Sequence, residues 1–453
     1  MLRPRTRFTA SVYLLEGQAG VWGEGRVVMV VSAPTDAPVR VGDEVELTVG
    51  SLAHGGEAVG RVRALVCFVA GAAPGEQVRV RVTEARKRFA RATVVRVLDA
   101  SPDRVEPPCP YFGACGGCQW QYLAYPAQLA AKHGILRDQL RRALCLPDDA
   151  LDALVRPPIG MRDPWGYRNS VGVVADADGK PSFRHLHSHA TVAIDHCPIS
   201  QPGINRALAA LSAEGVAGAL TIRTDADGAA VVLVSGERVQ TRQTLLGASF
   251  RTDGAAFFQV NTRREARLDL APPLPGEWRP EENGVSMADI LAATALRGLA
   301  LTGRETVLDA YAGVGTFALL AAPRARRVIA VEEVAVAATD ARANARALGI
   351  ENVTVHARKV ERFLPALAER GERIDAVILD PPRSGCVPEV LAALMALAPA
   401  RIVYVSCDPA TLARDLAVLA ARYDLEAVQP IDMFPQTFHI ESVTTLTRKK
   451  GAA

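Results

Sequence analysis

Thr306-Val307-Leu308-Asp309-Ala310-Tyr311-Ala312-Gly313-Val314-Gly315-Thr316 runs as a short apolar strand, an acidic residue and a Gly-x-Gly turn, and the apolar stretch Phe317 to Ala322 carries on as a helix. Further strands repeat the plan. Arg327-Val328-Ile329-Ala330-Val331-Glu332 ends in an acid and leads into an alanine-rich helix from Ala335 to Leu348. Ile374-Asp375-Ala376-Val377-Ile378-Leu379-Asp380 is closed by Pro381-Pro382-Arg383. Arg401-Ile402-Val403-Tyr404-Val405 is followed by Asp408-Pro409 and a helical pattern from Ala410 to Ala421. Strands alternating with helices predict an α/β fold with a parallel, doubly wound sheet. Such sheets gather ligands at the carboxyl ends of their strands, where glycines let the backbone come close and an acid about 20 residues on can hold ribose hydroxyls.

Gly313-x-Gly315-x-x-Ala318 with Glu332 suits either a nicotinamide cofactor or S-adenosylmethionine, because both carry a ribose. A glycine turn that only packs helix on strand is the plain alternative. Asp309 ahead of the turn and Asp380-Pro381-Pro382 at a later strand end favour the methyl donor. So does Cys407, in Val405-Ser406-Cys407-Asp408-Pro409, with Glu441 following 34 residues later in Phe438-His439-Ile440-Glu441. A free cysteine is most often a small buried hydrophobe, but this one stands at the carboxyl end of a strand. A thiolate and a separate carboxylate base are the parts that activate a ring for attack on an electrophile. A nicotinamide site has no use for them, and the pair points to methyl transfer onto a pyrimidine carbon.

Asp309-Ala310-Tyr311-Ala312-Gly313-Val314-Gly315-Thr316-Phe317, Asp380-Pro381-Pro382-Arg383-Ser384-Gly385, Val405-Ser406-Cys407-Asp408-Pro409-Ala410-Thr411-Leu412 and Asp432-Met433-Phe434-Pro435-Gln436-Thr437-x-His439-Ile440-Glu441 resemble, in order, the motifs of the RNA uracil-5-methyltransferases. Phe257-Phe258-Gln259-Val260-Asn261 is similar to the motif that opens that family's catalytic domain, and the resemblance runs from about residue 40 to about 446. It implies a Rossmann-like, S-adenosylmethionine-dependent methyltransferase domain over 256–453, with Gln259, Tyr311, Glu332 and Asp380 on the cofactor. It also implies that Cys407 adds to C6 of a uridine as nucleophile and that Glu441, as general base, removes the C5 proton once the methyl group has moved. Arg383 is a candidate neighbour to favour the thiolate, and partial burial should raise Glu441 toward the working pH. Phe257 or Phe258 would line the pocket for an extruded base. Lys359 departs from the family, which usually has a small polar or acidic residue near the adenine at that position.

Glu44-Val45-Glu46-Leu47-Thr48-Val49 and Gln77-Val78-Arg79-Val80-Arg81-Val82 alternate on either side of a Gly55-Gly56 turn, predicting a short β-barrel over 39–100. Its Asp43-Glu44-Val45-Glu46-Leu47 start, Gly56-Glu57-Ala58-Val59-Gly60 centre and Ala73-Pro74-Gly75-Glu76 turn resemble the TRAM module, an OB-like RNA-binding domain. Arg79, Arg81, Arg86, Lys87, Arg88, Arg91 and Arg96 fall within eighteen residues that contain one acid, Glu84, with Phe89 among them. Such a run is either a solvated face or a surface for RNA phosphates. With a net charge of +3 over 453 residues, any nucleic-acid surface must be local. Half-apolar content at this length supports two or three folded domains. Residues 101–255 are expected to form a mixed α+β central domain with a helix from Tyr125 to Ala143 and a strand from Ala230 to Val234. Arg168 and Asn169 receive no role, and His185, His187 and His189 read as the polar face of a strand. Residues 1–38 are expected to be a leader without a secretory signal, with Met29 as an alternative start, and Pro272 to Asn283 an exposed inserted loop.

Eight cysteines and no sign of secretion indicate a reducing cytosol; the expectation is a cytoplasmic monomer that binds RNA and no membrane. Cys109, Cys115 and Cys118 are spaced C-x5-C-x2-C, and Cys197, in Asp195-His196-Cys197-Pro198, is the best fourth ligand. All-thiolate ligation suits an iron-sulfur cluster, with a structural zinc as the rival; the family resemblance implies [4Fe-4S]. A barrel together with four such cysteines resembles the ribosomal-RNA branch, so 23S ribosomal RNA is the expected target. A transfer-RNA T-loop uridine is the alternative within the class, and a non-catalytic iron-sulfur RNA-binding protein the alternative outside it.

Overall fold

The computed structural model describes residues 39–62, 64–186, 188–215, 217–234, 239–254, 256–265 and 284–451. The expected leader with Met29, the inserted loop at 272–283 and His187 lie outside the described residues.

Strands β1 (Glu44–Leu52), β2 (Ala58–Val62), β3 (Leu65–Ala70), β4 (Gln77–Ala85) and β5 (Phe89–Asp99) close into a barrel in the order β1-β2-β3-β5-β4. The alternation along β4 decides its orientation: Val78, Val80 and Val82 are buried, while Arg79 and Arg81 face out. Trp120, Tyr122 and Leu123, from the segment after the barrel, join its core, and so does Ile440 from the far end of the chain. The outward arginines are less free than their own stretch of sequence suggests. Antiparallel pairing of β1 with β4 sets Glu46 opposite Arg79 and Glu44 opposite Arg81, and both pairs close as ion pairs at 2.7 and 2.8 Å. Arg91 pairs with Glu57 and lies over the Phe68 and Phe89 rings.

Helices α1 (Tyr125–Leu144) and α2 (Asp148–Leu154) follow. A central sheet is built from β6 (Ser170–Ala175), β7 (Pro181–Arg184), β8 (Thr191–Ala193), β9 (Ala219–Thr224) and β10 (Ala230–Val234), in the order β10-β9-β6-β7-β8, with α3 (Pro202–Glu214) packed on it. A hairpin, β11 (Gln240–Leu245) and β12 (Ala248–Asp253), and a short pair, β13 (Arg264–Glu265) and β14 (Val285–Ser286), lead to α4 (Met287–Leu299). One expectation is corrected here. Strand β7 ends at Arg184, and His185 just past it makes an isolated bridge with Cys115, with Nδ1 3.0 Å from the Leu186 carbonyl oxygen, so it and His189 do not share the face of one strand. α1 and α2, which the expected division gives to the central domain, bury Leu136, Leu140, Leu151 and Leu154 in the same apolar cluster as Leu308, Ile402 and Tyr404 of the C-terminal sheet.

That sheet contains β15 (Thr306–Ala310), β16 (Arg327–Glu332), β17 (Val353–Ala357), β18 (Ala376–Leu379), β19 (Arg401–Ser406), β20 (Tyr423–Ile431) and β21 (Glu441–Arg448). It alternates with α5 (Thr316–Ala321), α6 (Ala335–Ala347), α7 (Val360–Glu369), α8 (Pro388–Leu397) and α9 (Pro409–Leu419). The order is β17-β16-β15-β18-β19-β21-β20, parallel through β19 and antiparallel at β21. Strand succession reverses between β15 and β18, and the crevice at such a switch point, above the carboxyl ends of the strands, is where open α/β sheets bind ligands.

Candidate active site

The turn after β15 is wound tightly. Tyr311, Gly313 and Gly315 all have positive φ, at 69°, 55° and 87°. Glycine adopts this region freely, whereas tyrosine does so only where its surroundings hold it. Tyr311 is held by its own amide, which donates to the Val331 carbonyl at 3.0 Å, and by its hydroxyl, which donates to Glu361 Oε1 at 3.1 Å. Asp309, fully buried beneath the turn, accepts from the Ala318 amide at 2.7 Å and so fastens α5 to β15. Burial pushes its carboxyl up to about 8. Glu332, at the end of β16, accepts from the Gly313 amide at 2.8 Å and the Val334 amide at 2.7 Å. A carboxylate has about four acceptor positions, so Glu332 keeps capacity for hydroxyls of a ligand.

Cys407 and Glu441 meet because of strand register. Ser406 at the end of β19 pairs with Ser442 near the start of β21, and one more step along that register brings Cys407 beside Glu441. The loop before β21 is fixed from several directions. Lys132 forms a buried ion pair with Asp432 at 2.6 Å and donates to the Phe434 carbonyl at 2.9 Å. Tyr125 donates to Asp432 at 3.0 Å, Asn261 to the Met433 carbonyl at 3.2 Å and Tyr167 to the Pro435 carbonyl at 2.9 Å. Gln436, at φ 69°, donates its amide to the Gln128 side chain at 2.9 Å.

One cavity of about 630 Å³ is lined by Gln259, Tyr311, Glu332, Asp380, Cys407 and Glu441, the six residues singled out in the sequence for catalysis and cofactor. Phe257, Phe258 and Arg383 line it as well; Phe257 is 64% exposed, whereas Phe258 is buried against Phe250. Lys359 does not line it. That residue is exposed beside Glu333, and Glu361, two positions on, faces the cavity instead. Sequence reasoning missed Glu361, and it left Arg168 and His439 without roles although both line the cavity.

The electrostatics pull the Cys407 thiol both ways. Burial raises the Cys407 thiol to about 12, Glu441 and Asp380 add to the effect, and Arg383 opposes it. Burial and the neighbouring carboxyl groups therefore act against the thiolate, and Arg383 acts for it, as expected. Burial also raises Asp380, to about 7, and raises Glu441 well above the usual carboxylate range, with Asp380 adding to it. Asp408 behaves in the opposite way: burial opposes its ionisation, but His54 and the Thr411 and Ala410 amides hold it at about 2.

Cys109, Cys115, Cys118 and Cys197 line a second cavity of about 520 Å³, which shares Arg168, Arg383 and His439 with the first. Burial raises Cys118 to about 12, and the other three thiols add to the rise. Cys197 is anchored by Asn205, which accepts from its amide at 2.8 Å and donates to its carbonyl at 3.1 Å. Among the described residues no three His, Cys, Asp or Glu side chains are grouped closely enough to hold a metal ion. No helix among the described residues is long and apolar enough to cross a membrane.

Residues 295–449 match the family model described as tRNA (Uracil-5-)-methyltransferase, and residues 38–95 match the TRAM domain. An RNA methyltransferase of Caldanaerobacter subterraneus is 34% identical over 90% of this chain and 99% of its own length. Another, of Halalkalibacterium halodurans, is 35% identical over 91% and 99%. Among solved structures, the tRNA (uracil-54, C5)-methyltransferase of Pyrococcus abyssi in complex with S-adenosyl-L-homocysteine superposes with a TM-score of 0.65 at 23% identity, covering 89% of this chain and all of that one.

Proposed function

The chain belongs to the RNA uracil-5-methyltransferase family and is an S-adenosylmethionine-dependent RNA methyltransferase, and from that premise we propose that it methylates C5 of a uridine in 23S ribosomal RNA through a covalent adduct on Cys407. The observation that carries the reading is the placement of Cys407 and Glu441 in one cavity with the glycine turn. Uracil C5 is a weak nucleophile. Addition of Cys407, as the thiolate, to C6 makes the ring an enolate whose C5 can attack the methyl group with S-adenosylhomocysteine as the leaving group, so that one hard step becomes two. Glu441 then takes the C5 proton, the C6–S bond breaks, and 5-methyluridine leaves. S-adenosylmethionine, when bound, supplies the methyl group on a positively charged sulfonium. The cavity suits that charge: Glu332, Glu333 and Glu361 line it beside Asp380 and Glu441, against Arg168 and Arg383. Gln259, Tyr311, Glu332 and Asp380 would hold the cofactor. Exposed Phe257 at the cavity is placed to stack on an extruded base.

Cys109, Cys115, Cys118 and Cys197 would hold a [4Fe-4S] cluster. A structural zinc held by the same four thiolates is the rival occupant; what supports a metal group of either kind is that all four cysteines line one cavity. Bound there, the cluster would tie the segment after the barrel to the stretch before α3. The enzyme would act in the cytoplasm as a monomer. A second reading, a T-loop uridine of transfer RNA, is supported by the description of the matching model and by the Pyrococcus neighbour.

Labelled methyl transfer from S-adenosylmethionine to separated, unmodified ribosomal and transfer RNA tests both, with nucleoside digestion to identify the product. Label in 5-methyluridine from 23S RNA is expected. Label confined to transfer RNA would replace the ribosomal reading with the second, and label in neither would overturn both.

A further inference from the structure

The barrel reaches into the catalytic site through the turn between β1 and β2, Ala53-His54-Gly55-Gly56-Glu57. His54 Nε2 lies 3.3 Å from Asp408 Oδ2, on the residue that directly follows Cys407. Asp408 is the N-cap of α9: its Oδ1 accepts from the Ala410 amide at 3.0 Å and the Thr411 amide at 2.9 Å, which leaves Oδ2 for the imidazole. The same turn touches the other catalytic segment. Gly56 packs so closely on Phe438 that a Cβ there would stand 3.0 Å from its atoms, and the Gly56 carbonyl accepts from Trp120 Nε1 at 2.9 Å. Phe438 lies three residues before Glu441, and between them Ile440 is buried in the barrel core. One turn of the RNA-binding module thus rests on both chain segments that carry the catalytic pair.

Four charged or titratable groups act on Cys407: Glu441, Asp380 and Asp408 disfavour its thiolate, and Arg383 favours it. Of the three acids, Asp408 is held ionised, and its charge is fixed on the nucleophile's own loop. We propose that His54 is a positioning residue for Cys407, holding the Asp408 carboxylate in its capping geometry and compensating its charge, so that a residue of the barrel sets the reactivity of the nucleophile. The proposal rests on the reading of Cys407 as the nucleophile. Its test therefore measures the sulfur directly as well as through turnover.

Full-length wild type, His54→Ala, Asp408→Asn and the double variant would be treated with iodoacetamide across a pH series, and modification of the Cys407 peptide followed by mass spectrometry. Asparagine is as good an N-cap as aspartate, so Asp408→Asn removes the charge and keeps the helix start. A partly exposed pair is worth at most about fivefold. His54→Ala should accordingly slow Cys407 alkylation by about that factor and move its pH midpoint upward, with kcat reduced similarly and the KM for RNA within about twofold. Asp408→Asn should move the midpoint downward, and adding His54→Ala to it should change nothing further. An unchanged alkylation profile in His54→Ala, or additive effects in the double variant, would overturn the proposal. If instead Cys407→Ala still methylates RNA, the reading of the nucleophile fails, whatever the profile shows.

Discussion

Cys407 and Cys118 line adjoining cavities that share Arg168, Arg383 and His439, and burial raises both thiols to about 12. What differs is the company each keeps. Around Cys407 stand carboxyl groups that themselves hold protons near or above neutrality, Asp380 and Glu441, with one guanidinium opposing them. Around Cys118 stand three more thiols. A lone thiol among titrating carboxyls and an arginine can give up its proton when a substrate arrives and take it back when the product leaves. Four mutually repelling thiols give up theirs together only to a cation placed among them, because metal ligands must be deprotonated and binding releases their protons. On the reading proposed above, the same desolvation penalty would serve reversible covalent chemistry in one cavity and metal binding in the other.

The sharpest way to break this comparison is Cys407→Ala. Methyl transfer should fall by more than about 10⁴-fold, as loss of a covalent nucleophile does, while calorimetric binding of S-adenosylmethionine and the metal content of the other cavity stay as in wild type. Turnover near the wild-type rate would end the covalent mechanism, and lost metal would show that the cavities are not independent. Glu441→Gln comes next. Its turnover should drop by about 10²- to 10⁴-fold, the usual worth of a general base. Methylation should still occur and elimination stall, leaving a methylated protein-RNA adduct as a slow band on a denaturing gel, absent when Cys407 is also replaced. Free turnover without an adduct would remove Glu441 from the role. Asp408 is then a poor substitute, since it is committed to the α9 cap and to His54.

The two cavities also differ in how far the sequence revealed them. β15, β16, β18 and β19 each announce themselves locally, as apolar runs ending in an acid, a glycine turn or Asp-Pro, and the switch point follows from their order. The residues that set the charge at Cys407 could not be read that way. Asp380, Arg383 and Glu441 come from different strand ends and converge only through the sheet, so the forces acting on the thiol were invisible to a local reading. The barrel repeats the lesson. Arg79 and Arg81 look unopposed along their own stretch, and only the β1–β4 register shows Glu46 and Glu44 across from them. Likewise, α1 packs on α9, and its Leu136 and Leu140 fall in one apolar cluster with Tyr404 and Ile402 of the C-terminal sheet, a match that periodicity does not reveal. Lys359 and Glu361 lie at the start of one helix, and its orientation decides which of them reaches the cavity.

Cys115→Ser sharpens the second half of the comparison. Wild type purified under air should be brown, with iron-sulfur charge-transfer absorbance, and the variant should be bleached and iron-poor. Because the four thiols lie outside the proposed chemistry, its methyl transfer should fall less than in either catalytic variant. Colourless wild type carrying stoichiometric zinc would decide for the zinc site.

The smallest effect isolates desolvation from chemistry altogether. Asp309 is as deeply buried as any described residue, and its Oδ1 has no hydrogen-bond partner among the described residues. Its carboxyl is raised to about 8 by burial against the single amide of Ala318, with Asp380 and Glu332 adding a little. An unfolded chain would ionise it near pH 3.9. Between those values the native state holds a proton that the unfolded state has lost, so stability contributed by this group is full below about pH 4 and declines as the pH rises toward about 8. Asparagine copies the protonated acid, with a carbonyl to accept from Ala318 and a donor at the position of Oδ1, and it cannot ionise. In cofactor-stripped protein, wild type should therefore lose several degrees of Tm relative to Asp309→Asn between pH 5 and pH 8, because about three pH units at roughly 1.4 kcal/mol each come to about 4 kcal/mol. Parallel Tm curves for the two proteins would mean that the buried carboxyl is not held protonated, and the account of both raised thiols, which rests on the same burial, would fail with it.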